Sequence, residues 1–320
     1  MKTKLTSIIC SLASLVGLMV QVVVCSATPF AYGDVLVNNF NGGNIQRYDS
    51  AGNLQQTYTG SGGLWYGAAI TPQGNIATVR RSPVAGVNVF NQAGVQILTF
   101  DASAVNIPGD ISVFADGTMA ISSQLGGTVE FYSSTGAHLR SVSGPNQPFG
   151  SAVGPDGTLW VGGVGGVGFG FKHFNEDGTL LGSFSTSFMP GDVVVDPLDG
   201  TLWVAERHSS AVAHLDTSGA MLGSFAVDFS FYFDGIAMAP DRTFYLVDEN
   251  DPRVLHYSET GTLLGSFAIA SPNVPLFVAV VPEPSSCMLL ITCLSLSLHV
   301  GERTKRCSLT GDKYARHTEA

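Results

Sequence analysis

Three aspartates share one local setting: Asp110 in "PGD", Asp192 in "PGD" and Asp234 in "FDG". Each carboxylate adjoins a glycine on a loop that leads into a short apolar run, and the three are expected to face a common channel mouth. Glycine lets backbone approach closely, so side chains presented this way can converge on a narrow space. Like charges in poor solvent either raise one another's pKa or recruit a cation. An all-oxygen donor set favours calcium over a transition metal. The same aspartates could instead cap turn amides beside their glycines, and both readings stand at this stage.

A second set offers acid–base chemistry. Glu206, Arg207 and His208 are contiguous, as are Asp248, Glu249, Asn250 and Asp251, with Asn38 and Asn39 in a comparable connection. Glu206 or His208 is the candidate acid or base should the protein be an enzyme. His173, His214 and His256 suggest a zinc triad, yet they recur at one place in successive repeats. Equivalent positions of a ring lie one unit apart and cannot meet at one metal, so a structural role is expected. The run "VGGVGGVGFGF" (Val161 to Phe171) lacks the Lys-Ser/Thr ending of a phosphate loop and reads as an inter-strand connection. All five cysteines (10, 25, 287, 293 and 307) lie outside the repeats, and no Gly-x-Ser-x-Gly elbow is present.

The elements that must position these groups follow from six glycines, Gly52, Gly94, Gly136, Gly178, Gly219 and Gly261, spaced 42, 42, 42, 41 and 42 residues apart. Each lies in a polar turn between an apolar-ending strand and an alternating strand, as in "FNQAGVQILTF" and "LDTSGAMLGSF". That is a β-hairpin whose turn needs positive φ. Short apolar strands (68–71, 111–114, 152–154, 193–196, 236–239) precede turns such as "GPDG" and "DPLDG", whose Pro and Gly suit a tight reversal. Four strands per unit and a period near 42 predict an all-β fold, a six-bladed β-propeller over residues 28–281. The first unit has no innermost strand of its own. Leu276 to Val280 supplies it, so the two ends of the domain complete one blade and leave no sheet edge open.

Between residues 28 and 281 there are 8 Lys plus Arg against 21 Asp plus Glu, a net charge of −13, with Lys172 the only lysine. Such a surface repels phosphate backbones and excludes nucleic acid as a partner. Residues 1–27 carry Lys2 and Lys4, an apolar run from Ile8 to Val24 and small residues to Ala27, which read as a secretory signal peptide.

Two resemblances refine this reading. The stretch "VVVDPLDGTLWVAERHSSAVAHLDTSGAMLGSF" (Val193 to Phe225) resembles an NHL-type repeat, which implies a propeller and no particular activity. Residues 282–306 resemble a PEP-CTERM sorting signal: Pro282, Glu283 and Pro284, an apolar run from Cys287 to Val300, then Arg303, Lys305 and Arg306, with a tail of 307–320. That resemblance implies transient membrane association and processing by an exosortase-type enzyme at the surface of a Gram-negative-type bacterium. The expectation is a secreted, surface- or matrix-sorted binding or scaffolding module that meets a protein or glycan ligand on its loop face. The alternative is a calcium-dependent, gluconolactonase-like or lyase-type propeller enzyme using Glu206, His208 or one of the entry aspartates as acid or base.

Overall fold

The computed structural model describes residues 29–164, 168–228, 235–270 and 274–282. The expected signal peptide, Asp234, and the sorting residues from Glu283 through Arg306 therefore lie outside the described residues. Alternating apolar runs separated by Gly, Asp and Pro turns fold into strands throughout. In chain order these are β1 (Val35–Asn39), β2 (Asn44–Tyr48), β3 (Leu54–Thr59); β4 (Gly63–Ile70), β5 (Ile76–Ser82), β6 (Gly86–Phe90), β7 (Gln96–Asp101); β8 (Pro108–Val113), β9 (Met119–Ser123), β10 (Thr128–Tyr132), β11 (His138–Ser143); β12 (Pro148–Val153), β13 (Leu159–Gly163), β14 (Phe169–Phe174), β15 (Leu180–Thr186); β16 (Met189–Val195), β17 (Leu202–Arg207), β18 (Ala211–Leu215), β19 (Met221–Ala226); β20 (Gly235–Met238), β21 (Phe244–Asp248), β22 (Arg253–Tyr257), β23 (Leu263–Ala268); and β24 (Pro275–Val280).

They form six antiparallel four-stranded sheets, one per expected blade. The innermost strands β24, β4, β8, β12, β16 and β20 follow one another around a closed ring, the last meeting the first. The seam is built as the sequence predicts. β24 pairs with β1 in the register Val35↔Val280, Leu36↔Ala279, Val37↔Val278. Gly33 N–H donates to the Val281 carbonyl (3.1 Å), and Val281 N–H to the Asp34 carbonyl (2.8 Å). Asp34 also holds the buried Arg47 guanidinium at 2.7 Å, so a fully paired ion pair sits at the join.

All six hairpin glycines have φ between +80° and +89°. In each, the glycine N–H closes the turn and the outer pair shifts register by one residue beyond it, as at His214/Leu215 in the fifth blade. This is the three-residue hairpin with a glycine bulge. The glycine has a second duty. A Cβ on Gly261 would stand 2.4 Å from Phe225, one on Gly219 2.4 Å from Phe184, and one on Gly136 2.6 Å from Phe100. At these turns, and at Gly52 against Phe267, a phenylalanine of one outer strand lies on the bare turn of the next blade, whereas Gly178 meets Val142 and Arg140 and Gly94 meets Gln56; these contacts join neighbouring blades at their periphery. Between blades the core is apolar, as where Leu36, Ile45, Tyr58, Trp65, Ile76 and Phe90 meet.

Candidate functional site

The inner strands start earlier than the sequence pattern predicts. β4, β8, β12 and β16 begin at Gly63, Pro108, Pro148 and Met189, and each shifts register before its apolar half: Trp65/Ala68, Pro108/Ile111, Pro148/Ser151 and Pro190/Val193. Asp110 and Asp192 therefore lie within strands, at bulges, instead of on entry loops. Bulges re-aim side chains, which here turns both carboxylates to the ring interior. Pairing with the second strands sets Gly67, Asp110, Gly150, Asp192, Gly235 and Phe277 at one level around the ring.

Each of these aspartates ties three blades together. Asp110 Oδ2 accepts the Ser151 N–H and hydroxyl, both at 3.0 Å, while Oδ1 fills the space a Cβ on Gly67 would need, 1.8 Å away. Asp192 Oδ2 accepts Ile236 N–H at 3.1 Å and Oδ1 accepts Val193 N–H at 2.8 Å. A Cβ on Gly150 would stand 2.5 Å from Asp192 Cα. The amide-capping contacts are thus present, directed at neighbouring blades. Burial pushes the Asp110 carboxyl up to about 7, against the opposing pull of the Ile111 and Ser151 donors.

Directly above this level the axis is closed. β12 and β24 lie on opposite sides of the ring, and Phe149 and Phe277 meet across it with centroids 5.7 Å apart. Tyr66 and Leu276 belong to the same cluster, with Met189 and Val274 packed against it. Below it lies a cavity of about 630 Å³ with Asp110, Asp192, Ser112 and Ser151 toward its closed end. Its walls include Ile70, Val113, Val153, Val195, Met238 and Val280. It ends among Pro197, Pro240 and Pro282, all exposed, so the axis is a blind well open on one face. Ser112 and Ser151 hydroxyls are 2.8 Å apart, and since Ser151 donates to Asp110, Ser112 donates to Ser151.

Glu206 and His208 stand at the plugged end, because Glu206 pairs with Pro190 at the start of β16. The structure does not bring them to Asp110 and Asp192. The Ser209 hydroxyl donates to the Glu206 carboxylate. Partial burial and the Arg207 charge hold His208 below the usual histidine range. Arg207 itself covers the Phe149 ring at 4.8 Å. Glu249 on the same face is pushed up by burial, against the Arg207 charge. Asp248 is fully buried, accepting Asn250 and Asp251 N–H and pairing with Arg253. Asn38 reaches the next blade through Thr78 Oγ1 at 3.0 Å, and Asn39 bonds Asn44 at 2.9 Å.

The three recurrent histidines share a common surrounding. His173 stacks on Trp160 at 3.8 Å, His214 on Trp203 at 3.9 Å and His256 on Tyr245 at 4.3 Å. Their Nε2 atoms lie 2.7, 2.8 and 2.7 Å from Thr158, Thr201 and Thr243. Each threonine hydroxyl donates to an aspartate, Asp156, Asp199 or Asp241, so each histidine must carry its proton on Nε2. They sit in three different blades, as ring geometry requires. Among the described residues, no three His, Cys, Asp or Glu side chains gather where they could hold a metal.

The fold has many solved counterparts. A chain of the nidogen/laminin complex is similar with a TM-score of 0.67 at 14% identity, covering 77% of this chain and 97% of that one. A Bacteroides caccae protein of unknown function gives 0.62 at 14%, covering 79% and 100%. The virginiamycin B lyase of Staphylococcus aureus gives 0.53 at 17%, covering 67% and 73%. This chain is a six-bladed β-propeller. At these identities the likeness extends to the fold alone. No protein-family model matches the chain, and no curated protein does.

Proposed function

We propose that the protein is a secreted, surface- or matrix-sorted binding propeller that takes a cationic ligand into its axial well. The observation that carries the binding reading is the well itself: about 630 Å³, walled by apolar side chains, blind at one end, with Asp110 and Asp192 there. Ligand pockets of 300 to 1,000 Å³ with apolar walls and a few placed polar groups are the usual form of a small-molecule site. The enzymatic alternative built on Glu206 or His208 is less well supported, since both sit beyond the aromatic plug from the two carboxylates.

Calcium is the inorganic cation to test first, with Asp234 as the proposed third ligand. Saturation at a hundredfold excess over the dissociation constant stabilises a fold by about 2.7 kcal/mol. If calcium is the occupant, the thermal midpoint of the secreted protein rises with calcium and Asp192→Asn abolishes the rise. An unchanged midpoint removes calcium as an occupant. Sorting is tested separately by intact mass of protein recovered from its native cell surface, where a chain still carrying residues 287–320 would refute processing.

A further inference from the structure

The composition of the well narrows the ligand class, an inference that rests on the binding reading above. Calcium takes 6 to 8 oxygen ligands. The described side-chain oxygens toward the closed end are two carboxylates and the Ser112 and Ser151 hydroxyls, and both carboxylates already accept strand N–H groups. An ammonium head needs about three acceptors, which this set can supply. The walls point the same way. Ile70, Val113, Val153, Val195, Met238 and Val280 would be wasted on a bare ion but match an aliphatic or aromatic body.

The mouth adds a third selection. The turns around it carry Asp116, Asp156, Asp199 and Asp241, all exposed. Against a burial penalty, the amides and hydroxyls of Thr118, Thr158, Thr201 and Thr243 hold these carboxyls below their usual range, so they are ionised. Arg242, the cation beside them, is paired with Asp196 and Glu259. A rim of one sign around a low-dielectric opening concentrates ligands of the opposite sign and repels anions. We infer that the axial well binds a cationic amphiphile, an apolar body carrying one ammonium head, with the head between Asp110 and Asp192 and the body along the aliphatic walls.

The test is calorimetric titration of the secreted protein at about pH 8, where Asp110 is ionised, with n-octylammonium below its micellar concentration, compared with methylammonium, octan-1-ol, octanoate and calcium. Octylammonium should bind at least tenfold more tightly than octanol or methylammonium, and octanoate should not bind. Asp110→Asn should weaken octylammonium at least tenfold and leave octanol unchanged. Ala152→Phe, which fills the well from its wall, should remove both, with melting curves confirming that each variant is folded. Equal binding of octanol and octylammonium overturns the inference while leaving a binding well. Methylammonium as tight as octylammonium, or calcium displacing octylammonium, overturns it in favour of a small cation. If neither calcium nor any alkyl compound binds, the binding reading falls with it.

Discussion

Asp110 is a buried carboxyl whose charge the fold resists, and this has a measurable price in stability. Its pKa stands at about 7, against an ordinary value of 3.8. Between those values the folded protein holds a proton that the unfolded chain releases, so stability is full below the unfolded value and falls as pH rises to about 7. At 1.36 kcal/mol per unit the loss amounts to about 4 kcal/mol. For a domain of this size that corresponds to a midpoint lowered by roughly 8 to 16 °C. Asp110→Asn removes the titration and keeps an acceptor for Ser151 N–H. Its amide would face the Ile111 donor, a penalty that does not vary with pH. In denaturant melts from pH 4 to 7.5, the variant should therefore gain about 4 kcal/mol relative to the wild type as pH rises. Exposed turn carboxylates such as Asp49 and Asp216, whose pKa values are lowered by side-chain and backbone donors, act in the opposite direction at lower pH and cancel in this difference. A difference that stays flat across the range would refute the account of Asp110.

Three further outcomes are expected. Gly150→Ala brings a Cβ within 2.5 Å of backbone on β16, so it should cost about 1–3 kcal/mol or more, whereas Gly223→Ala, with nothing within 4 Å, should change the melting midpoint little. Burial lowers the pKa of His173 and His256 despite the opposing charges of Asp156 and Asp241, so their NMR titrations should fall below 6.5. Stability from this source is present above that value and lost as pH falls through the folded pKa values, and titration at or above 6.5 would refute it. Deleting residues 275–282 removes β24 and exposes the edge of β1, so the whole ring should lose cooperative unfolding, and survival of one sharp melt at the original midpoint would argue against closure at this seam.

The sequence alone determined the blade. Hairpin glycines at constant spacing, Pro and Gly turns and period-two strands are local signals, since each turn needs its φ and each strand its alternation whatever lies beside it. Even the split first blade was legible, because an unpaired apolar strand at each end of the domain leaves one sensible partner for the other. What the residues do to one another between blades was decided only by the tertiary structure. The glycine at each hairpin reads as a φ requirement, yet Gly261 and Gly219 also make room for Phe225 and Phe184 from the blade before. Asp110 and Asp192 read as loop carboxylates at a mouth, because no local pattern marks a bulge within β8 or β16. Phe149 and Phe277 are 128 residues apart and carry no motif, but they meet across the axis and close one end of the well. Closing the ring is what brings such side chains together, because distance along the chain sets the blade and only the circular order of the blades sets what faces the axis.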